Sequence, residues 1–269
     1  MLDPAELIAT AGAFGVAESQ VKRDHLISHA LVALTQLDQP IVFFGGTALA
    51  RTWFPNPSTG GRLSEDIDLY TAERKKVADA LQELPRLLRR EFPGARWDPS
   101  PADVRAIDPA RLVTRDGLQV RIQLLNTAEH RELAQWPVEV KALQMRYTDI
   151  APVSLPVPTL TSFAAMKTVA WLDRAAARDL YDLAALARIG ALTSAAADLV
   201  HQVTGWRVAR HGFTRLPAFD WAVQLGHQTG TLPPAQSCLD LVRTSYGAAL
   251  GWAEANRNEI GQSVQRDRW

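Results

Sequence analysis

The sequence predicts an α+β fold, with a mixed sheet flanked by helices over residues 1–155 and an all-helical part over residues 156–269. Three observations support this. The chain opens on runs of helical periodicity. Its middle holds short β-branched and alternating runs. Beyond a proline cluster at Pro152, Pro156 and Pro158, strand signals fade and helical periodicity takes over. The prolines are expected to mark a linker between the two parts.

Taken in order, Pro4 to Gly15 and Glu18 to Leu37 are expected to be helices, the second with an apolar stripe of Val21, Leu26, Ile27, Ala30, Leu31, Ala33 and Leu34. Asp38-Gln39-Pro40 is a turn, because a residue before proline avoids the helical region. Ile41 to Phe44 is a buried strand that ends in Gly45-Gly46, and a short helix is expected from Thr47 to about Trp53. Pro55 to Gly61 is a loop, and Asp66 to Tyr70 a second strand. Glu73 to Phe92 is an amphipathic helix that Pro85 kinks or splits. Arg96 to Ala106 and Arg111 to Leu125 are expected as strands, with an Asp116-Gly117 hairpin signal. Within the latter, Leu118, Val120, Ile122 and Leu124 share one face, opposite Gln119, Arg121 and Gln123. Thr159 or Thr161 caps a helix to about Leu172, followed by helices from Arg178, Thr193 and Leu239.

At 269 residues the chain can bury a large core, and no apolar run approaches the roughly 20 residues needed to cross a bilayer. Met1 to Glu6 lacks a basic signal-peptide region, which leads to an expected cytoplasmic location. The single cysteine, Cys238, excludes an intrachain disulfide and a cysteine-rich zinc site, and is read as a core filler. Lys plus Arg equals Asp plus Glu at 29 each, against a strongly basic nucleic-acid coat protein. Residues 1–70 nevertheless hold 4 cations against 8 acids. The acids gather where a metal site is expected.

That site is Phe44-Gly45-Gly46-Thr47, then Ser64-Glu65-Asp66-Ile67-Asp68. Strand side chains alternate, so Asp66 and Asp68 face one side, close enough to share a divalent cation. A glycine turn at a helix start offers free N–H groups to a phosphate. Phosphate cradle plus paired carboxylates predicts metal-dependent chemistry on a nucleotide, with Mg²⁺ expected and Mn²⁺ an alternative. A second block lies in the helical part: Lys167, Arg174 and Arg178 at spacings of seven and four, with Asp179 and Asp182 as i, i+3 neighbours. Beside a nucleotide, Lys167 makes a triphosphate clamp.

Together the two blocks resemble the AbiEii/AbiGii family of nucleotidyltransferase toxins (MenT-like toxins of type IV toxin–antitoxin systems), within the DNA polymerase β-like nucleotidyltransferase superfamily. The matching residues are Phe44 to Leu49, Arg62 to Leu69, Lys167, Arg174 and Arg178 to Leu183. The resemblance implies an N-terminal nucleotidyltransferase domain, with Gly45, Gly46, Thr47, Ser64 and Arg178 contacting an NTP and Asp66 and Asp68 binding the metal. It implies that Lys167 holds phosphates and that Asp179 or Asp182 is essential. It further implies transfer of NMP to the 3′ acceptor end of tRNA, which blocks aminoacylation and translation, and a cognate antitoxin that is a regulator encoded nearby.

One departure stands out. Many members of the superfamily place a third carboxylate on a later strand, where this chain has Gln119, Arg121 and Gln123. Trp206 to Arg215 and Arg86, Arg89 and Arg90 are basic stretches that could meet RNA or simply be solvated. The six histidines are read as lacking metal-ligand spacing, with His201 and His211 on the surface. Alternative acceptors are a small molecule or a protein side chain; a non-catalytic nucleotide-binding module is the third reading.

Overall fold

The computed structural model describes residues 1–63, 65–105, 107–230 and 232–252. The first helix, α1 (Pro4–Phe14), is capped by Asp3, whose carboxylate accepts from the N–H groups of Ala5 and Glu6; Gly15 ends it at φ +64°. Such a cap contributes about 0.5–2 kcal/mol. α2 (Glu18–Gln36) buries its predicted stripe completely, with Val21, Leu26, Ile27, Ala30 and Leu31 at 0 % exposure. Each large apolar side chain so buried contributes up to about 1.5–3 kcal/mol.

β1 (Val42–Phe44) runs directly into α3 (Gly45–Thr52), and β2 (Asp66–Thr71) returns antiparallel beside it, pairing Phe44 with Asp68. The helix thus begins at Gly45, two residues before the expected start, so the glycines are its first turn. The predicted split at Pro85 is present: α4 (Arg74–Leu81) and α5 (Leu84–Leu88) replace one long helix. The sheet is completed by β3 (Arg96–Trp97), β4 (Ala110–Val113) and β5 (Gln119–Asn126), in the order β1-β2-β5-β4-β3. It is mixed, since β2 and β5 run parallel and the other pairs antiparallel. The long strand expected over 96–106 shrinks to Arg96–Trp97. Beyond it the chain folds into turns, tied back through Asp98 N–H to the carbonyl of Arg111.

Pro156 and Pro158 do not lie in a linker. β6 (Val138–Ala142) and β7 (Ser154–Pro158) form a two-stranded ribbon with Val140 opposite Pro156 and Val138 opposite Pro158. Two prolines at i, i+2 direct their missing donors to the same edge, and β7 has only one partner strand to satisfy. Thr159 then caps α6 (Leu160–Arg174), accepting from Ser162 N–H. α7 (Ala177–Arg188), α8 (Ser194–Thr204), α9 (Trp221–Leu225) and α10 (Ala235–Leu250) follow, and no strand comes after β7 among the described residues. One buried cluster links Leu26, Phe43, Ile67 and Leu124 to Phe163, Leu180 and Tyr246, so the sheet and the C-terminal helices share a core. Cys238 lies buried within it.

Candidate active site

The turn between β1 and α3 holds the first wall of the site. Gly45 adopts φ +78°, and a Cβ there would collide with the Asp68 carboxylate. A Cβ on Gly46 would collide with the Arg62 guanidinium. Both glycines are therefore required by close approach, and Gly45 also by its backbone conformation. The alternation of β2 turns Asp66 and Asp68 to the half-buried side while Ile67 packs fully into the core. Thr47 is buried, and its hydroxyl donates to the carbonyl of Asp66, bracing α3 against β2.

The two carboxylates differ. β2 and β5 pair in a register that sets Asp66 beside Arg121 and Asp68 beside Gln123. Arg121 donates from Nε and Nη2 to the two oxygens of Asp66, each at 2.7 Å. No side chain or N–H among the described residues donates to the Asp68 carboxylate. Burial and the neighbouring charge of Asp66 push its carboxyl up to about 6, against the opposing pull of Lys167, Arg174 and Arg121. Asp68 is thus left without a bonded cation of its own, and an oxygen donor set of this kind fits a hard divalent cation.

α6 and α7 supply the second wall. Lys167 Nζ stands 3.2 Å from Asp179 Oδ1 and 2.6 Å from Asp182 Oδ2, with all three side chains buried. Arg174 grips Asp179 with two donors, at 2.8 and 3.1 Å. Arg62, from the loop before β2, grips Asp182 in the same way at 3.0 and 3.1 Å. Burial alone would raise the Asp182 carboxyl; Arg62 and Lys167 overcome it and hold the group below its ordinary value. Asp182 therefore joins α7 to the loop that leads into the acidic strand.

Glu65 collects further cations: Arg23 at 2.6 Å, His227 at 3.2 Å and Arg178 at 3.9 Å. Gln228 donates to Glu65 and accepts from Arg62, while its carbonyl accepts from Leu63 N–H at 2.9 Å. Arg178 thus sits at the edge of the site, and Ser64 lies outside the described residues. The stretch 225–230 carried no sequence signal for this role, since its contacts with residues 62–65 are non-local. The basic stretches are mixed in character. Trp206 is exposed, Phe213 is fully buried, and Arg86 and Arg90 pair with Glu83 and Glu91.

One expectation fails. His25 and His29 do have ligand spacing, one helical turn apart on α2, and the fold brings Asp149 to them. The spacing itself was visible; the third residue, more than a hundred positions away, was not. His201 and His211 are exposed as expected.

The chain matches the family described as nucleotidyl transferase AbiEii toxin, type IV TA system, over residues 29–239. Among solved structures it is similar to MenT4, a nucleotidyltransferase toxin from Mycobacterium tuberculosis, at 20% identity and TM-score 0.63, covering 100% of this chain and 96% of that one. A proposed nucleotidyltransferase from H. pylori is similar at 14% identity and TM-score 0.51, over 89% of this chain and 100% of that one. No curated protein sequence matches. At these identities the structures speak for the fold, while the family match spans most of the chain and both walls of the site. The protein belongs to the AbiEii family of nucleotidyltransferase toxins.

Proposed function

We propose that this nucleotidyltransferase transfers NMP from an NTP to the 3′ end of an RNA, with tRNA as acceptor, and that the modification stops aminoacylation and translation. What carries the reading is the unneutralised Asp68 carboxylate beside Asp66, at the mouth of a glycine turn and facing a buried lysine. Asp66 and Asp68 would hold Mg²⁺ or Mn²⁺. Bound there, the ion would supply charge stabilisation to the transferring phosphoryl group and its pyrophosphate leaving group.

The chain's own residues do the rest. The first N–H groups of α3, at Gly45, Gly46 and Thr47, lack partners within the helix and would bind phosphate oxygens. Ser64, two residues before Asp66 in sequence, would be a further phosphate contact, and Arg178, near Glu65, would stand at the entrance. Lys167 serves as the point charge on the phosphates, held in place by Asp179 and Asp182. In this division of labour residues 1–155 would supply the metal ligands and the glycine turn, and Lys167 and Arg174, from residues 156–269, the cationic wall. The family carries an antitoxin partner; we place its gene nearby and the toxin in the bacterial cytoplasm. Consistent with that, no helix among the described residues is long and apolar enough to cross a membrane.

The test is incubation of purified protein with each α-labelled NTP, Mg²⁺ and total tRNA. Label should appear at the RNA 3′ end, disappear with EDTA, and fail to appear with Asp66→Asn. Unlabelled RNA, or equal labelling by Asp66→Asn, overturns the reading. Label on a small molecule or a protein instead would reassign the acceptor.

A further inference from the structure

We propose that His25, His29 and Asp149 bind a single divalent transition metal of the zinc class, at a site that shares no residue with Asp66 and Asp68. His25 and His29 lie four apart on α2, so both imidazoles leave the same face. Their Nε2 atoms are 3.2 Å apart. His25 Nε2 lies 3.1 and 3.0 Å from the two oxygens of Asp149, and His29 Nε2 lies 3.5 Å from Oδ2. A tetrahedral ion with bonds of about 2.0–2.2 Å holds its ligand atoms roughly 3.3–3.5 Å apart. Three good ligand atoms, drawn from an α2 turn and a distant loop, already stand close to that spacing.

Hydrogen bonding alone accounts for the cluster poorly. One proton at most lies between the two Nε2 atoms. If His25 Nε2–H is turned to Asp149, His29 is left with an acceptor at 3.5 Å, beyond good hydrogen-bond length. An ion would satisfy all three at once. Both imidazoles pack edge-on or tilted against Phe92, at 5.8 and 5.5 Å, and His25 stands edge-on to Tyr147 at 5.0 Å, which fixes the rings.

Two carboxylates, Asp149 and Glu91, stand on the open side of the triad. There the Met1 ammonium bonds to Asp149 Oδ2 at 3.0 Å and to Glu91 Oε2 at 2.8 Å. A metal at the triad would take its fourth ligand from water or Glu91 on this side. Imidazole nitrogens select zinc-like ions, whereas the all-oxygen pair Asp66 and Asp68 suits Mg²⁺. The ion would clamp α2 to the loop that carries Asp149. In that loop Tyr147 donates to Asp24, which also pairs with the buried Arg51 of α3. Its role is therefore to stiffen the frame behind the glycine turn.

The experiment uses untagged full-length chain carrying Asp66→Asn and Asp68→Asn, so that the catalytic carboxylates add no binding. After stripping with a chelator, titration with Co²⁺ should give one equivalent with the visible absorption of a four-coordinate ion, bleached by Zn²⁺. Zn²⁺ at about 100 times its Kd should raise Tm by roughly 5–10 °C. Adding His29→Gln or Asp149→Asn should abolish both signals while the metal-free circular dichroism stays unchanged. Absence of the Co²⁺ band together with an unmoved Tm overturns the site, as does equal binding by the two added variants. Should either variant misfold, the Co²⁺ band and Zn²⁺ shift of the starting protein decide alone.

Discussion

The protein carries two pairs of aspartates, one on a strand and one on a helix, and the fold treats them in opposite ways. Asp179 and Asp182 are buried, and Lys167, Arg174 and Arg62 together saturate them with short ion pairs. Asp66 and Asp68 are half-buried; Asp66 has Arg121, and Asp68 has no donor among the described residues. The helix pair is neutralised by the protein itself, so it can hold two elements together without help. The strand pair is left short of positive charge, and the cost is visible in the raised Asp68 carboxyl. Identical side chains are thus neutralised by the protein in one place and left short of cations in the other.

The comparison is broken most forcefully at Asp182. Asp182→Ala would leave Arg62 and Lys167 as buried cations without their shared partner. Truncating one member of a buried pair costs about 3–5 kcal/mol. Thermal melting should show a fall in Tm of roughly 6–20 °C, with activity lost as a consequence of the loosened loop. A variant with unchanged Tm and no activity would instead place Asp182 among the groups that touch substrate.

Asp68→Asn should do the reverse. Transfer activity should fall by about a hundred- to a thousand-fold in a single-turnover assay, while stability rises. The sign follows from linkage. The folded carboxyl is raised from 3.8 to about 6, so the folded state binds the proton more tightly. That contribution is full below pH 3.8 and is lost as pH climbs through about 6. At pH 8 the amide should therefore stabilise by up to about 3 kcal/mol, and at pH 4 by almost nothing. Asp182, held below its ordinary value, behaves oppositely: its stabilisation is present at neutral pH and is lost only in acid, below 3.8. Paired melts of the wild type and Asp68→Asn at the two pH values check the Asp68 sign.

Much of the strand pair's setting was legible in sequence because it is local. The β1–Gly45-Gly46–α3 turn, the alternation of Asp66 and Asp68, and the break at Pro85 all rest on neighbours within a few positions. What the sequence concealed is non-local. Nothing near Arg62 announces that it grips Asp182, 120 positions on, and nothing near Gln228 announces its place beside Glu65. The β6–β7 ribbon was hidden for a different reason. Proline normally argues against a strand, and only the free edge of β7 makes Pro156 and Pro158 compatible with pairing. His25 and His29 displayed their spacing openly, but a third ligand on a remote loop gives the spacing its meaning.

The smallest expected effect sharpens the comparison at its one point of overlap, where Arg121 gives the strand pair a partial version of the helix pair's neutralisation. Arg121 is half exposed, at 51%, so its pair with Asp66 contributes only about 0.2–1 kcal/mol. It lies, with Gln119 and Gln123, on the strand where the sequence resemblance led one to look for a third carboxylate. Arg121→Gln should leave Tm within a few degrees of the wild type. Because a cation on Asp66 and Asp68 competes with the guanidinium, the variant should need up to about fivefold less Mg²⁺ for half-maximal activity. A Mg²⁺ titration of transfer rate at saturating NTP reads this directly. A requirement that rises instead would mean that Arg121 orients Asp66 toward the metal rather than competing for it, and the strand pair would then depend on a protein cation as the helix pair does.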